Sequence, residues 1–268
     1  MHSQTRARTR PERVDLARHL DAVGITGKVA TPRENNLSHI ERFLAQERQF
    51  DFGVELTREW SEDEVFDLMV DRVGISGDRG FVEGVDTIAA DKCLDALDRV
   101  RSVLRETVEA RGSILFATGH PAGLLPVHQE VAAWAESRGA TITGLRVDAC
   151  SDPVWVGAPV GGDVRRMGRV HVWHQHGGLP HTHFAEPMHA LLAALREEGA
   201  AAPDLVVADH GWAGAAGTAG IRTVGYADCN DPALFVAEAQ GQVEVAVPLD
   251  DNVLPQFYDS LIDYLVGE

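Results

Sequence analysis

Asp209, Asp228, Asn230 and Asp231 are hard oxygen donors that stand at or just beyond the ends of two apolar runs, 205–208 and 221–227. Carboxylate and amide oxygens of this kind suit Mg²⁺ or Mn²⁺, with Zn²⁺ the less favoured ion. A divalent cation held there would neutralise a phosphoryl group and activate water, the two tasks of phosphomonoester hydrolysis. Asp228 and Asp231, with His120, are the candidates to position that water or to protonate a leaving group. A plainer reading exists for two of them. Asp231-Pro232 is a strong N-cap and N1 pair for a helix, and Asp228 could simply tighten a turn.

The turn Thr118-Gly119-His120-Pro121-Ala122-Gly123 has the texture of an anion site. Glycines let backbone approach a ligand, and a following helix offers unpaired N–H groups and a positive dipole end. Thr118, Gly119 and Gly123 are thus expected to hold phosphoryl oxygens. Neither GxxxxGK[ST] nor GxGxxG is present, and a tight strand-to-helix turn is the alternative. His210 follows Asp209, and Asp251 lies in the Asp250-Asp251-Asn252 run behind a further apolar stretch, so both are expected at the substrate, with a helix entry before Pro255 the equal alternative for the run. Two adjacent carboxylates cannot both face one small ligand without a cation between them.

His181-Thr182-His183 is an HxH pair, which on a strand would point both imidazoles to one face. Its flanks, Gly177-Gly178 and Pro180, read as loop, so substrate contact and helix capping stand beside a metal role. His171 and His174 are expected on a surface hairpin. In the N-terminal part, Asn35 and Asn36 fit helix capping, while Arg33 could reach the sheet edge as a phosphate clamp with Asn35 beside it. Cys229 has no readable His–Asn partner and is expected to be a packed thiol. No DxDx[TV] nucleophile motif occurs, which favours direct attack by water over a phospho-enzyme.

These residues act together only if the chain brings them to one place. Apolar runs at 113–117, 141–147, 169–173, 205–208, 221–227 and 243–247 alternate with helical patterns that end at Gly139, Gly199, Gly220 and Gly241. The alternation predicts an α/β fold: a doubly wound, mostly parallel, Rossmann-like sheet. In such sheets ligands bind beyond the carboxyl ends of the strands, and four runs deliver polar residues to that one edge. Before residue 111 the periodicity is helical, over 11–23, 35–47 and 89–111, with a Ser61/Glu64 capping box opening another helix. The expected organisation is a helical subdomain or cap over 1–111 and a catalytic α/β domain over 112–268, with a hairpin insertion near 152–180.

Charge and cysteine content bound the partners. The chain of 268 residues carries 24 Lys+Arg against 41 Asp+Glu, a net −17, which argues against nucleic acid and anionic membrane surfaces. No apolar stretch reaches the length of a membrane span, and the basic N-terminus lacks the hydrophobic segment of a secretory signal. Three cysteines without a CxxC pair argue against a disulfide framework or structural zinc, so a reducing cytoplasm is expected. A small phosphorylated metabolite remains the expected partner, and self-association is compatible with the composition.

The motifs ATGHPAGLL (117–125), HTHFAEPM (181–188), DLVVADHGWAGAAGTAGI (204–221), DCNDPALFVAEAQG (228–241) and VPLDDNVLPQFY (247–258) resemble an actinobacterial family of phosphatases. TPRENN (31–36) and DTI (86–88) fit the same pattern, so the likeness covers nearly the whole chain and departs most over 150–180. A looser likeness is to metal-dependent damage-control phosphatases, in which a strand-end Asp-Asn and a later Asn-Asp help hold the metal. Asp209-His210 and Asn230-Asp231 stand in those places here, with His210 replacing Asn. The resemblance implies a metal-dependent phosphatase acting on a small phosphomonoester such as a sugar or nucleotide phosphate. Rival readings are an isomerase, lyase or transferase that keeps the phosphate, a zinc enzyme built on His181 and His183, and a ligand-binding protein without chemistry.

Overall fold

The computed structural model describes residues 8–145, 154–156 and 160–268. In chain order the elements are α1 (Arg13–Val23), β1 (Gly27–Pro32), α2 (Arg33–Leu44), α3 (Glu62–Arg72), β2 (Val85–Ile88), α4 (Ala90–Glu109), β3 (Ser113–Thr118), α5 (Pro121–Ser137), β4 (Thr141–Thr143), β5 (Val154–Val156), β6 (Gly162–Met167), β7 (Val170–His174), α6 (Glu186–Glu197), β8 (Leu205–Asp209), α7 (His210–Thr218), β9 (Thr223–Ala227), α8 (Pro232–Ala239), β10 (Val245–Pro248) and, after a 3-10 turn at Pro255–Tyr258, α9 (Asp259–Val266).

The main sheet runs β10-β9-β8-β3-β7-β6-β5. Strands β10, β9, β8, β3 and β7 are parallel neighbours, and β4 pairs with the first half of β3 on the side where β7 takes the second half. β6 and β5 add antiparallel strands at one edge. Every residue of β8, β9 and β10 is buried, as a strand covered on both faces must be. One apolar layer comes from α1, α4, α5 and α9, through residues such as Leu20, Leu97, Val127 and Leu261. The other comes from α2, α3, α6, α7 and α8, through Phe43, Met69, Leu191, Trp212 and Phe235. The protein is therefore an α/β fold whose mostly parallel sheet is flanked by helices on both faces.

The helices before residue 111 divide between the two layers, α1 and α4 on one face, α2 and α3 on the other. Each core cluster thus takes residues from both sides of the expected boundary. The same region also holds an antiparallel strand pair, β1 with β2, that the helical periodicity did not announce. Only Val29 of β1 is buried, so the strand leaves no apolar pattern to read. No helix among the described residues is long and apolar enough to cross a membrane.

The hairpin β6–β7 continues the sheet, and this overturns the surface placement of His171. β7 lies directly beside β3, so His171 is fully buried. Its Nδ1 bonds Phe116 O at 3.0 Å, and its Nε2 accepts the Leu145 N–H at 3.2 Å. Burial lowers its pKa from 6.5 to about 4. The unfolded chain binds a proton near pH 6.5 and the folded chain does not until about pH 4, so this site's stability is complete above pH 6.5 and drains as the pH falls toward 4. The loss is about 3 kcal/mol. Urea unfolding at pH 7.5 and 4.5 should show a smaller pH difference in His171→Gln than in the wild type by about 2–3 kcal/mol. Equal differences in the two proteins would refute this account. His174, by contrast, is half-buried and pairs through Nδ1 with Asp163 Oδ1 at 2.9 Å.

Candidate functional site

The parallel register brings the carboxyl ends of β3, β8, β9 and β10 to one edge. There they deliver Thr118-Gly119-His120, Asp209-His210, the 228–231 turn and Asp250-Asp251. The loop after β7 adds His181 and His183, β1 adds Thr31, and α2 adds His39.

Asp209, expected as a metal ligand, has both oxygens engaged inside the protein. Oδ1 accepts the Gly119 N–H at 2.6 Å and lies 2.9 Å from His210 Nδ1, while Oδ2 meets His128 Nε2 at 3.2 Å. Although burial opposes ionisation, the two imidazoles hold its carboxyl well below the usual range. The side chain folds back beneath the β3 turn, toward the Gly119 N–H and His128. It also holds His210 through Nδ1. Held in the left-handed region at φ 46°, His210 turns its Nε2 into the cluster, 3.2 Å from Asp251 Oδ2, 3.7 Å from Asp231 Oδ2 and 3.3 Å from His181 Nε2. Burial would lower its pKa, but Asp251, Asp209 and Asp231 raise it to about 10.

Asp228, Asp231, Asp250 and Asp251 close the cluster, all buried. Asp228 accepts the Thr31 hydroxyl and the Cys229 N–H, and burial beside Asp250 and Asp231 pushes it up to about 7. Asp231 occupies the N-cap position of α8 without capping it; its Oδ2 instead accepts the Asp228 N–H at 3.0 Å. Asp250 accepts N–H groups from Ala30 at 3.3 Å and Asn252 at 2.9 Å. Burial also raises Asp231, Asp250 and Asp251. Among the described residues no arginine or lysine pairs with any of these carboxylates; the basic side chains nearest them are the imidazoles of His120 and His210.

Three sets of side chains bring ligand atoms within 4.8 Å of one another: His181, His183 and His210; His210, Asp231 and Asp251; Asp228, Asp250 and Asp251. The fit to a cation rests on more than proximity. Asp251 Oδ2 and His120 Nδ1 are buried and make no hydrogen bond. His183 Nδ1 is anchored by Gln49 O at 2.9 Å, as a ligating imidazole usually is, which leaves Nε2 free. Burial and the charge of His210 keep His181 and His183 below 6.5, hence neutral and able to donate a lone pair.

Other expected contacts lie elsewhere. Arg33 is fully buried, its Nη1 2.9 Å from Asp86 Oδ2 and its Nε donating to Phe81 O at 2.9 Å, so it is no phosphate clamp. A buried guanidinium needs these partners, and they hold it below β1 and β2. Asn35 is exposed, while the inward neighbour Asn36 donates to Asp86 and accepts from the Cys229 thiol. Cys229 is a packed thiol, its pKa raised by burial. Asn230 reaches the site through its carbonyl, which bonds His39 Nδ1 at 2.8 Å. The turn after β3 is not an open anion loop at its start. The Gly119 N–H serves Asp209, and the His120 N–H donates to Thr118 Oγ1 at 3.0 Å. Its glycines permit close packing: a Cβ on Gly119 would stand 2.3 Å from Thr182 O, and one on Gly123 2.1 Å from Asp251 O.

The residues not anticipated are Thr31, His39 and His128; Asp250 is anticipated only as part of the 250–252 run. His39 sits three positions after Asn36 on α2, a spacing that puts both on one helix face and could have exposed it. His128 lies among the inward apolar residues of α5 and gave no separate signal.

Two comparisons bear on this geometry. The family model described as Phosphatase matches residues 11–268, a span that contains every residue of the cluster. The protein named Phosphatase SCO2771, from Streptomyces coelicolor, is 45% identical over 260 residues, covering 96% of each chain.

Proposed function

The chain belongs to the Phosphatase family, and from that premise we propose that it hydrolyses small phosphomonoesters, sugar or nucleotide phosphates, with a divalent cation at the carboxyl edge of the sheet. The carrying observation is electrostatic: a buried cluster of carboxylates with no basic side chain but imidazole, among the described residues, to balance it. Burying such charge unpaired is prohibitive, and a divalent cation is the natural counter-charge.

Asp228, Asp231, Asp250, Asp251 and His210, the last after releasing its Nε2 proton as the ion binds, would hold the ion, with Mg²⁺ or Mn²⁺ favoured by the oxygen donors. A cation bound there supplies charge neutralisation for phosphoryl oxygens and a more acidic water. His120 stands with Nε2 4.0 Å from Asp251 Oδ1 and with Nδ1 unpartnered. Burial lowers its pKa, so at neutral pH it is unprotonated and can accept the proton of the attacking water, which it can then return to the leaving oxygen. His181, the exposed member of the histidine set, would meet the ester from the solvent side. Asp209, tied to His128 and the Gly119 N–H, holds the His210 ring in one orientation. Water is the attacking group because the thiol of Cys229 is buried and hydrogen-bonded to Asn36. Buried free thiols at Cys93 and Cys229 suit the reducing cytoplasm proposed for the protein.

The test is inorganic phosphate release across sugar and nucleotide monophosphates, before and after chelation. Activity should vanish with chelator and return with Mn²⁺ or Mg²⁺. Undiminished release from metal-free protein would sink the metal dependence. Turnover of a phosphorylated substrate with its phosphate retained would sink the hydrolase reading in favour of an isomerase, lyase or transferase.

A further inference from the structure

The donor sets overlap in a way that fixes how many ions the site can hold, an inference that rests on the metal-dependent reading above. His210 belongs to two sets, but its Nδ1 is committed to Asp209, so only Nε2 remains and it can serve one ion. The two sets containing His210 therefore compete for one nitrogen and cannot hold separate ions, so they count as one position, drawn from His181, His183, His210, Asp231 and Asp251. The third set, Asp228, Asp250 and Asp251, contains no nitrogen. Asp251 alone is common to both positions, and a carboxylate has two oxygens. Its Oδ1 faces His120 and its Oδ2 faces His210 at 3.2 Å, without a hydrogen bond, in a residue only 4% exposed.

We propose that this edge is a two-cation centre bridged by Asp251, with one imidazole-rich position and one all-carboxylate position. Charge supports the count. Fully ionised by bound metal, Asp228, Asp231, Asp250 and Asp251 would supply four negative charges, the number that two divalent ions cancel. The positions also differ in kind. Imidazole suits Zn²⁺ and other later transition metals, while an all-carboxylate set suits Mg²⁺ or Mn²⁺. His183 and His210 each anchor the nitrogen that faces away from the site, on Gln49 O and on Asp209.

The full-length protein, stripped with chelator and reloaded with Mn²⁺, tests this by metal analysis after desalting and by electron paramagnetic resonance. The wild type should retain two equivalents and give the spin-coupled signal of a close Mn²⁺ pair, with half the hyperfine spacing of an isolated ion. His181→Gln, at an exposed side chain, and Asp250→Asn, an isosteric change, should each retain one equivalent with an isolated-ion signal and unchanged circular dichroism. One equivalent in the wild type, or an isolated-ion signal when it is fully loaded, overturns the two-ion proposal and leaves the single-cation phosphatase standing. No bound metal, with phosphate release unaffected by chelator, overturns both.

Discussion

Asp251→Asn should lower phosphate release by about 10³-fold or more, about 4 kcal/mol of transition-state stabilisation, and should raise the melting temperature of the metal-free protein. Asp251 is buried where β10 delivers it, with one oxygen left without a hydrogen bond. In the metal-free protein burial works against its charge; His210 helps, but Asp228, Asp231 and Asp209 repel it, and the balance holds its pKa well above the usual carboxylate range. The ionised form therefore costs folding free energy, and an amide of the same shape removes that cost. With each kcal/mol worth roughly 2–4 °C in a chain of this size, the metal-free variant should melt a few degrees higher. The same change deletes an anionic donor at the centre of the cluster, so stability and activity move in opposite directions, as expected where a site is kept strained for function. Calorimetry of metal-free samples and phosphate release in excess Mn²⁺ decide it. A variant that melts lower, or that keeps more than about a tenth of the activity, would contradict the role given to Asp251.

Much of this edge was legible because parallel strands announce themselves. The runs 205–208 and 243–247 are almost wholly apolar, which only a strand buried on both faces tolerates, so the polar residue that ends each run must lie at the sheet's carboxyl edge. The Ser61/Glu64 capping box was legible for a similar reason, since its chemistry is local; the structure shows both of its hydrogen bonds. Direction of side chains was not legible. Asp209 and Asp228 occupy equivalent strand ends, yet Asp209 turns back to the Gly119 N–H while Asp228 stays in the carboxylate cluster, a difference set by His128 and Thr31 from distant segments. Arg33 misled because an arginine in a polar run looks like an anion contact until its partner Asp86, 53 residues away, is seen beside it. His171 misled because alternation in a hairpin suggests a solvent face, whereas pairing of β7 with β3 places that face in the core.

The contrast between Gly211→Ala and Gly220→Ala isolates the packing that aims the histidines. Gly211 lies in the first turn of α7, directly after His210. A Cβ there would meet His183 O at 2.3 Å, Phe184 C at 2.4 Å and Phe184 O at 2.5 Å. These are backbone atoms and cannot rotate away, so either α7 or the 183–184 segment must move. Overpacking of this kind costs about 1–3 kcal/mol. The movement separates His210 from His183, whose rings now stack at 4.7 Å between centroids, and a misplacement of about 1 Å in such a site can cost about 10²-fold in rate. Gly220 ends the same helix at φ +78° with nothing within 4 Å of its Cβ position. Alanine there strains only the backbone, by about 1–2 kcal/mol. The two variants should therefore lose similar stability by urea midpoint, while kcat/KM in saturating Mn²⁺, measured well below both melting temperatures, should fall about 10²-fold for Gly211→Ala and hold for Gly220→Ala. Equal activity in the two would mean that the α7 contact does not set the geometry of His183 and His210.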